Sequence, residues 1–241
     1  MAQSHKATHH PRGRTLQRRR TRRLPVLIIV LASALILGGA FLASRLAQPT
    51  PSVAPFAART INAPTGVTPD GFAYKGKPDA PVTVIEYGDF QCPSCGAFAT
   101  QQEAAFDQLY VETGKVRFIY HDFPLPQHNN AVIAAAAARA AGEQGKFWQM
   151  HDLLFTKQRE WSNSTAIQPL LGSYAEAIGL DLQAFDRALQ SEKYVAALIA
   201  ARQQSGQRGV QATPTFEVNG MLVDASQLQA AIEAALQAKS S

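Results

Sequence analysis

Apolar residues fall into three patterns along the chain. The first is an unbroken run: residues 24 to 43, from Leu24 to Ala43, carry no charge, and Ser33 is the one polar side chain among them. That is about the 20 residues a helix needs to cross a bilayer. The second is the β-branched, alternating signature of strands, in Val82-Thr83-Val84-Ile85-Glu86-Tyr87 and in Val116-Arg117-Phe118-Ile119-Tyr120. The third is helical spacing. It predicts a helix from Cys92 to about Thr113 that Gly114 ends, and further helices over Ala131 to Ala141, through Phe147, Met150, His151 and Leu154, and through Ile167, Leu170, Leu171, Tyr174 and Ile178. Asp181 is placed to cap a helix bearing Leu182, Phe185 and Leu189, and Tyr194 to Ser205 continues the pattern with Val195, Leu198 and Ile199.

After Gly206 and Gly209 the pattern returns to strands. Thr215-Phe216-Glu217-Val218 and Met221-Leu222-Val223 flank Asn219-Gly220, a strong hairpin signal. Ser226 with Gln229 makes a capping box for a last helix bearing Leu228, Ile232 and Leu236. The order is β-α-β, a helical block, then β-β-α, and the first β-α-β unit should be parallel because its strands are joined by a crossover helix.

Charge refines the domain boundaries. The net charge of +5 is an average of unlike parts: residues 1 to 59 hold ten Lys or Arg and no acid, leaving 13 basic against 18 acidic residues in the remainder. The body therefore gives no reason to expect nucleic-acid binding. Eight basic residues precede the apolar run and only Arg45 and Arg59 follow it closely, which predicts a cytoplasmic N-terminus and a body on the far side of the membrane. The expected organisation is a basic tail over residues 1–23, an uncleaved transmembrane anchor over 24–46, a Pro-rich linker over 47–70, and one domain over 71–241 with a helical insertion at about 128–208. His5, His9 and His10 belong to the solvated tail.

The chemistry centres on the two cysteines of the chain, Cys92 and Cys95, at the junction of a strand and a helix. Pro93 suits the first helical position. Cys92 is then the N-cap, where unpaired backbone N–H groups and the helix dipole favour thiolate over thiol. Strand alternation puts Glu86 on the same face as Val82 and Val84, directed towards the core near Cys95 or, as an edge residue, towards solvent. A disulfide closing so small a loop removes little unfolded-chain entropy, so a purely structural bridge would gain the fold almost nothing.

The stretches from Gly76 to Cys95 and from Gly209 to Gly220, including Thr213-Pro214, resemble the DsbA-like family, a thioredoxin fold interrupted by a helical domain. The resemblance covers about residues 72 to 238. It implies an α/β thioredoxin fold with an inserted helical subdomain, here preceded by one transmembrane helix, and thiol–disulfide exchange at Cys92 and Cys95. A substrate thiolate would attack Cys92, the exposed sulfur, to form a mixed disulfide that a second thiolate resolves, with Cys95 the buried partner. The resemblance further implies that Pro214 is cis and faces the cysteines, that the Thr213 backbone is free to pair with an extended substrate, and that Glu86 is a buried acid able to accept and return the Cys95 proton. Ser94 departs from the enterobacterial type, where a histidine is usual; its effect on oxidising strength is open. The membrane anchor looks like that of non-enteric relatives.

The expected partners are reduced substrate proteins and a quinone-linked membrane reoxidase, with no cofactor besides the Cys92–Cys95 disulfide, no resident metal, no nucleic acid, and a monomeric state. Two alternatives stand beside the oxidase. One is a reductase or isomerase of the same fold. The other is a copper- or zinc-binding module using the cysteines with His121, His128 or His151, of which His151 reads as a core residue and the other two as surface residues. Asn163-Ser164-Thr165 matches a glycosylation sequon that a bacterial setting would leave idle.

Overall fold

The computed structural model describes residues 56–191 and 193–240. The tail expected over 1–23, the span over 24–46 and the start of the linker lie outside these residues. Among the described residues, no helix is long and apolar enough to cross a membrane.

Strands β1 (Thr65–Val67), β2 (Ala73–Lys75) and β3 (Val82–Gly88) come first, followed by helix α1 (Pro93–Gln101). Next are α2 (Glu103–Phe106), a π-type turn over Asp107–Val111, and β4 (Val116–Asp122). The inserted block comprises α3 (Ala131–Glu143), α4 (Phe147–Thr156), α5 (Gln158–Trp161), α6 (Ile167–Ala177), α7 (Leu182–Gln190) and α8 (Lys193–Gln207). Strands β5 (Thr215–Val218) and β6 (Met221–Val223) and helix α9 (Leu228–Ser240) close the fold.

The strands form a single sheet in the order β1-β2-β4-β3-β5-β6. As the crossover helix requires, β3 and β4 are parallel, with Val84 opposite Phe118 and Glu86 opposite Tyr120. At the β5–β6 hairpin, Asn219 (φ 47°) and Gly220 (φ 92°) both take the left-handed conformation that a two-residue turn of this hand needs. Asp181 caps α7, its side chain accepting from the Ala184 N–H at 3.0 Å.

Several elements depart from the sequence reading. Strands β1 and β2 occupy stretches expected as linker and turn; each is three residues long, too short to display a period. The helix predicted from Cys92 to Thr113 is interrupted at Gln102 (φ −120°, ψ −35°) before it resumes. Helix α9 starts at Leu228, and the Gln227 carboxamide, in place of the Ser226–Gln229 pair, reaches back to the Asp224 N–H at 3.4 Å. Leu182 and Ile199, expected on buried faces, are exposed, because α7 and α8 bury Phe185 and Leu198 instead.

The core lies between the sheet and the helices. Phe98, Phe106, Phe118 and Phe216 meet ring to ring beneath α1, and Phe90, Tyr120, His151 and Phe155 form a second aromatic group where α4 packs on α1. Burying each of these large apolar side chains stabilises the fold by on the order of 1.5–3 kcal/mol. His151 is buried in that second group, as its position on an apolar helical face implied.

Candidate active site

Cys92 is the N-cap of α1, with extended backbone (φ −71°, ψ 123°) and Pro93 in the first turn. The turn before it is fixed from several sides. The Asp89 carboxylate accepts from the Gln91 N–H (2.7 Å) and the Leu125 N–H (2.8 Å) and lies 2.7 Å from His128 Nδ1. From the helical block, the Gln158 carboxamide donates to the carbonyls of Phe90 (2.7 Å) and Cys92 (2.9 Å). The Gln91 carboxamide accepts from the Asn130 N–H and donates to the Ser162 carbonyl, while the Asn130 side chain ties down the carbonyls of Trp161, Ser162 and Ser164. Gly96 makes this approach possible: a Cβ there would stand 2.8 Å from the Gln158 carboxamide oxygen.

Both cysteines are free thiols here, and both are buried. Cys92 retains 6% exposure and Cys95 none. The expected contrast between an exposed and a buried sulfur is therefore small. Thr213 leans over Cys92, whose Sγ is 3.3 Å from the Thr213 carbonyl oxygen and donates to it while protonated. The Thr213–Pro214 peptide is cis. Once Cys92 ionises, that carbonyl has nothing to accept, and the Thr213 hydroxyl, which has no other partner, is the donor that supports the thiolate.

The two thiols diverge in acidity. A hydrogen bond from Cys95, acting against burial and aided by Thr213 and the N–H groups of Cys95 and Ser94, lowers the Cys92 pKa from the ordinary 9.0 to about 5. Burial, together with the hydrogen bond to Cys92 and the charge of Glu86, pushes Cys95 well above the ordinary thiol value. Near neutral pH this is a thiolate beside a thiol.

Glu86 is buried on β3, facing the core as strand alternation allowed, and neither carboxylate oxygen has a protein hydrogen-bond partner. Burial, and then the charge of Glu103, raise its pKa well above the carboxylate range against the pull of Lys75.

A charged cluster on the same face went unread in the sequence. Lys75 Nζ, fully buried, contacts Glu103 and is 2.6 and 2.7 Å from the two Asp107 carboxylate oxygens. Arg59 adds contacts to Glu103 (3.4 Å), Asp107 (3.2 Å) and Asp152 (3.3 Å). Burial alone would raise Glu103; Lys75, His151 and Arg59 outweigh it and hold the carboxyl below its ordinary value. Glu103, His151 and Asp152 are the one group of three metal-type ligands among the described residues; neither cysteine belongs to it, and Arg59 reaches two of its members. His121, read as a surface residue, stacks on Phe72 with ring centroids 3.7 Å apart, and burial lowers its pKa to about 4.

The thioredoxin family model matches residues 69–238. The Na(+)/H(+) antiporter NhaA 1 of Salinispora arenicola is 41% identical over 155 residues, which cover 64% of this chain and 22% of that protein. The chain thus spans about a quarter of the length of the curated relatives it matches. Among solved structures, oxidised BdbD from Bacillus subtilis is 27% identical with a TM-score of 0.63, covering 73% of this chain and 98% of that one. Alpha-DsbA1 from Wolbachia pipientis, 21% identical, shares the fold with a TM-score of 0.61 over 74% of this chain and 96% of that one.

Proposed function

This chain belongs to the thioredoxin family with a DsbA-type fold, and from that premise we propose that it donates the Cys92–Cys95 disulfide to reduced proteins outside the cytoplasm. The observation that carries this reading is the divergence of the two thiols, Cys92 lowered to about 5 and Cys95 raised, beneath the Thr213–Pro214 turn.

A substrate thiolate attacks Cys92 Sγ; the Cys92–Cys95 bond breaks and Cys95 takes up its electrons and then a proton. A second substrate thiolate attacks the substrate sulfur of the mixed disulfide and expels Cys92. The substrate gains a disulfide, and the enzyme is left as Cys92 thiolate and Cys95 thiol. A low-pKa Cys92 is a good leaving group, and stabilising the reduced pair makes the disulfide more oxidising. The half-buried backbone of Thr213 beside Cys92 offers an extended substrate a hydrogen-bonding edge. Glu86 is the group placed to exchange a proton with Cys95. The basic residues before the apolar run 24–43 support a single-pass anchor with this domain extracytoplasmic, where disulfides persist. A membrane quinone-linked protein is the reoxidant this placement suits, and the chain acts as a monomer.

Trapping tests the assignment. Cys95→Ala, first treated with an aromatic disulfide so that Cys92 carries an aryl thiol as leaving group, is expected to exchange that group for reduced proteins and accumulate mixed disulfides through Cys92, and Cys92→Ala treated alike none; equal trapping by both variants would remove the nucleophile from Cys92. The redox potential decides direction: a value as low as about −270 mV would make the protein a reductase instead.

A further inference from the structure

Three buried oxygens near Cys95 lack a protein hydrogen-bond partner: Glu86 Oε1, Glu86 Oε2 and the Tyr120 hydroxyl. Buried polar groups are rarely left unpaired, because an unmade bond leaves the full desolvation penalty standing, so a cluster of them calls for a function. Tyr120 is paired with Glu86 across the parallel strands, which puts both side chains on one face of the sheet. Its ring lies against Gly88, towards the end of β3 that leads to the cysteines. A Cβ on Gly88 would lie 2.7 Å from the Tyr120 hydroxyl oxygen, so the bare glycine is what admits it. Phe90, Phe147, His151 and Phe155 surround the ring and fix its direction.

We propose that Tyr120 is a positioning residue whose hydroxyl carries the proton between Glu86 and Cys95. This rests on the disulfide-exchange reading given above. When a substrate sulfur attacks Cys92 and the disulfide breaks, the electron pair of that bond stays on Cys95. No direct hydrogen bond joins these groups at rest, so the relay runs through water between them: the Tyr120 hydroxyl passes its proton towards Cys95 while taking one from the side of the Glu86 carboxyl, which leaves the tyrosine unchanged, Cys95 a thiol and Glu86 a carboxylate. Reoxidation runs the path backwards.

The electrostatics agree with this placement. Burial and then the charges of Cys95 and Glu86, with Asp122 and Asp89 behind them, raise the Tyr120 phenol well above its ordinary value, so it passes a proton without resting as a phenolate. The groups facing Tyr120 are Glu86 from β3, Asp89 from the following turn, Cys95 from α1, Asp122 from its own strand and His151 from α4. Those facing Glu86 include Lys75 from β2, Glu103 from α2 and Cys92.

The test is the rate at which dithiothreitol reduces the oxidised full-length chain between pH 5 and 9, divided by the concentration of dithiothreitol thiolate. In the wild type this rate falls as Glu86 loses its proton. Tyr120→Phe is expected to be slower by about tenfold or more at the acid end and nearly flat with pH. Glu86→Gln behaves alike, and combining the two adds nothing further. The thermal midpoint and the alkylation midpoint of Cys92, near pH 5, stay where they are in Tyr120→Phe. A wild-type profile in Tyr120→Phe overturns the proposal, and so does a uniform slowing that adds to that of Glu86→Gln. If the wild-type pair resists dithiothreitol, the disulfide-exchange reading falls, and this one with it.

Discussion

Lys75 and Glu86 lie on the same buried face of one sheet, with β4 between them, and the chain treats them in opposite ways. Around Lys75 charge meets countercharge: Glu103 and Asp107 close on it, Arg59 reaches both of them and Asp152, His151 stands behind, and the ammonium sits 4.6 and 4.8 Å from the ring centroids of Trp148 and Phe118. Glu86 has no such answer. Neither of its carboxylate oxygens has a protein hydrogen-bond partner, and neither has the hydroxyl of Tyr120, its neighbour across the strands. The first arrangement fixes protonation states, whereas the second leaves a proton free to move. Buried ion pairs are retained where their geometry is closed, and an open polar pair beside a reactive sulfur belongs to the chemistry.

The largest blow to this contrast should come from Lys75→Met. Removing the ammonium leaves two buried carboxylates with the partly exposed Arg59 as their remaining strong cation, and is expected to cost about 3–5 kcal/mol in urea unfolding of the reduced chain. Adding Glu103→Gln should recover part of that loss; no recovery would mean that Lys75 acts through packing alone. Glu86→Gln should do the reverse. Burial raises the folded-state pKa of Glu86, so the wild type loses stability as pH climbs from about 4.5, where the unfolded chain ionises, towards the folded value. The glutamine variant escapes that loss. Its gain is expected to be absent at pH 4 and to grow to about 1–3 kcal/mol above neutrality, while disulfide exchange slows. A destabilised Glu86→Gln at pH 8 would show that the carboxylate is answered after all.

The last effect is also the most specific. The folded-state pKa of Cys92 is depressed from 9.0 to about 5, so its thiolate contributes stability that is complete above pH 9, shrinks as pH falls through the window, and is gone below 5. The oxidised chain has no such group, and Glu86 titrates in both forms. Subtracting oxidised from reduced stability should therefore give a difference that rises from pH 5 towards 9; a flat difference would place the Cys92 pKa near that of an ordinary thiol.

Much of this was legible before any coordinates. The Asn219-Gly220 hairpin, the helix begun by Cys92 and Pro93, and the alternation of β3 follow from local rules acting over two to six residues. Alternation put Glu86 on the face of Val82 and Val84, because β3 is long enough to show a period, but left open whether that face met the core or solvent. Lys75 stayed hidden because its strand is too short for one, and a lysine beside Tyr74 reads as a surface residue until Ala73 and Lys75 are both seen to face inward. Arg59 sits in a proline-rich stretch that looks like linker. The clamp on Cys92 was out of reach for another reason: Gln158 lies 66 residues from the Cys92 carbonyl it holds and Gln91 39 residues from the Asn130 N–H it accepts from, and nothing local marks a glutamine as a partner of a distant backbone group. That clamp and the overlying Thr213 also explain why Cys92 is more enclosed than the N-cap of an exposed helix would be.

Arg59 gives the domain a mechanical property. A pull on the described chain at Phe56 meets the guanidinium and its three carboxylates before it reaches the edge strand β1, so the load enters at the cluster beside Lys75. Strand β1 is antiparallel to β2, with only three residue pairs to resist tension. The arginine works as a strain relief, like the clamp that keeps a tug on a cable from reaching the solder joint. In this chain the joint it shields is the sheet on which the cysteines are mounted.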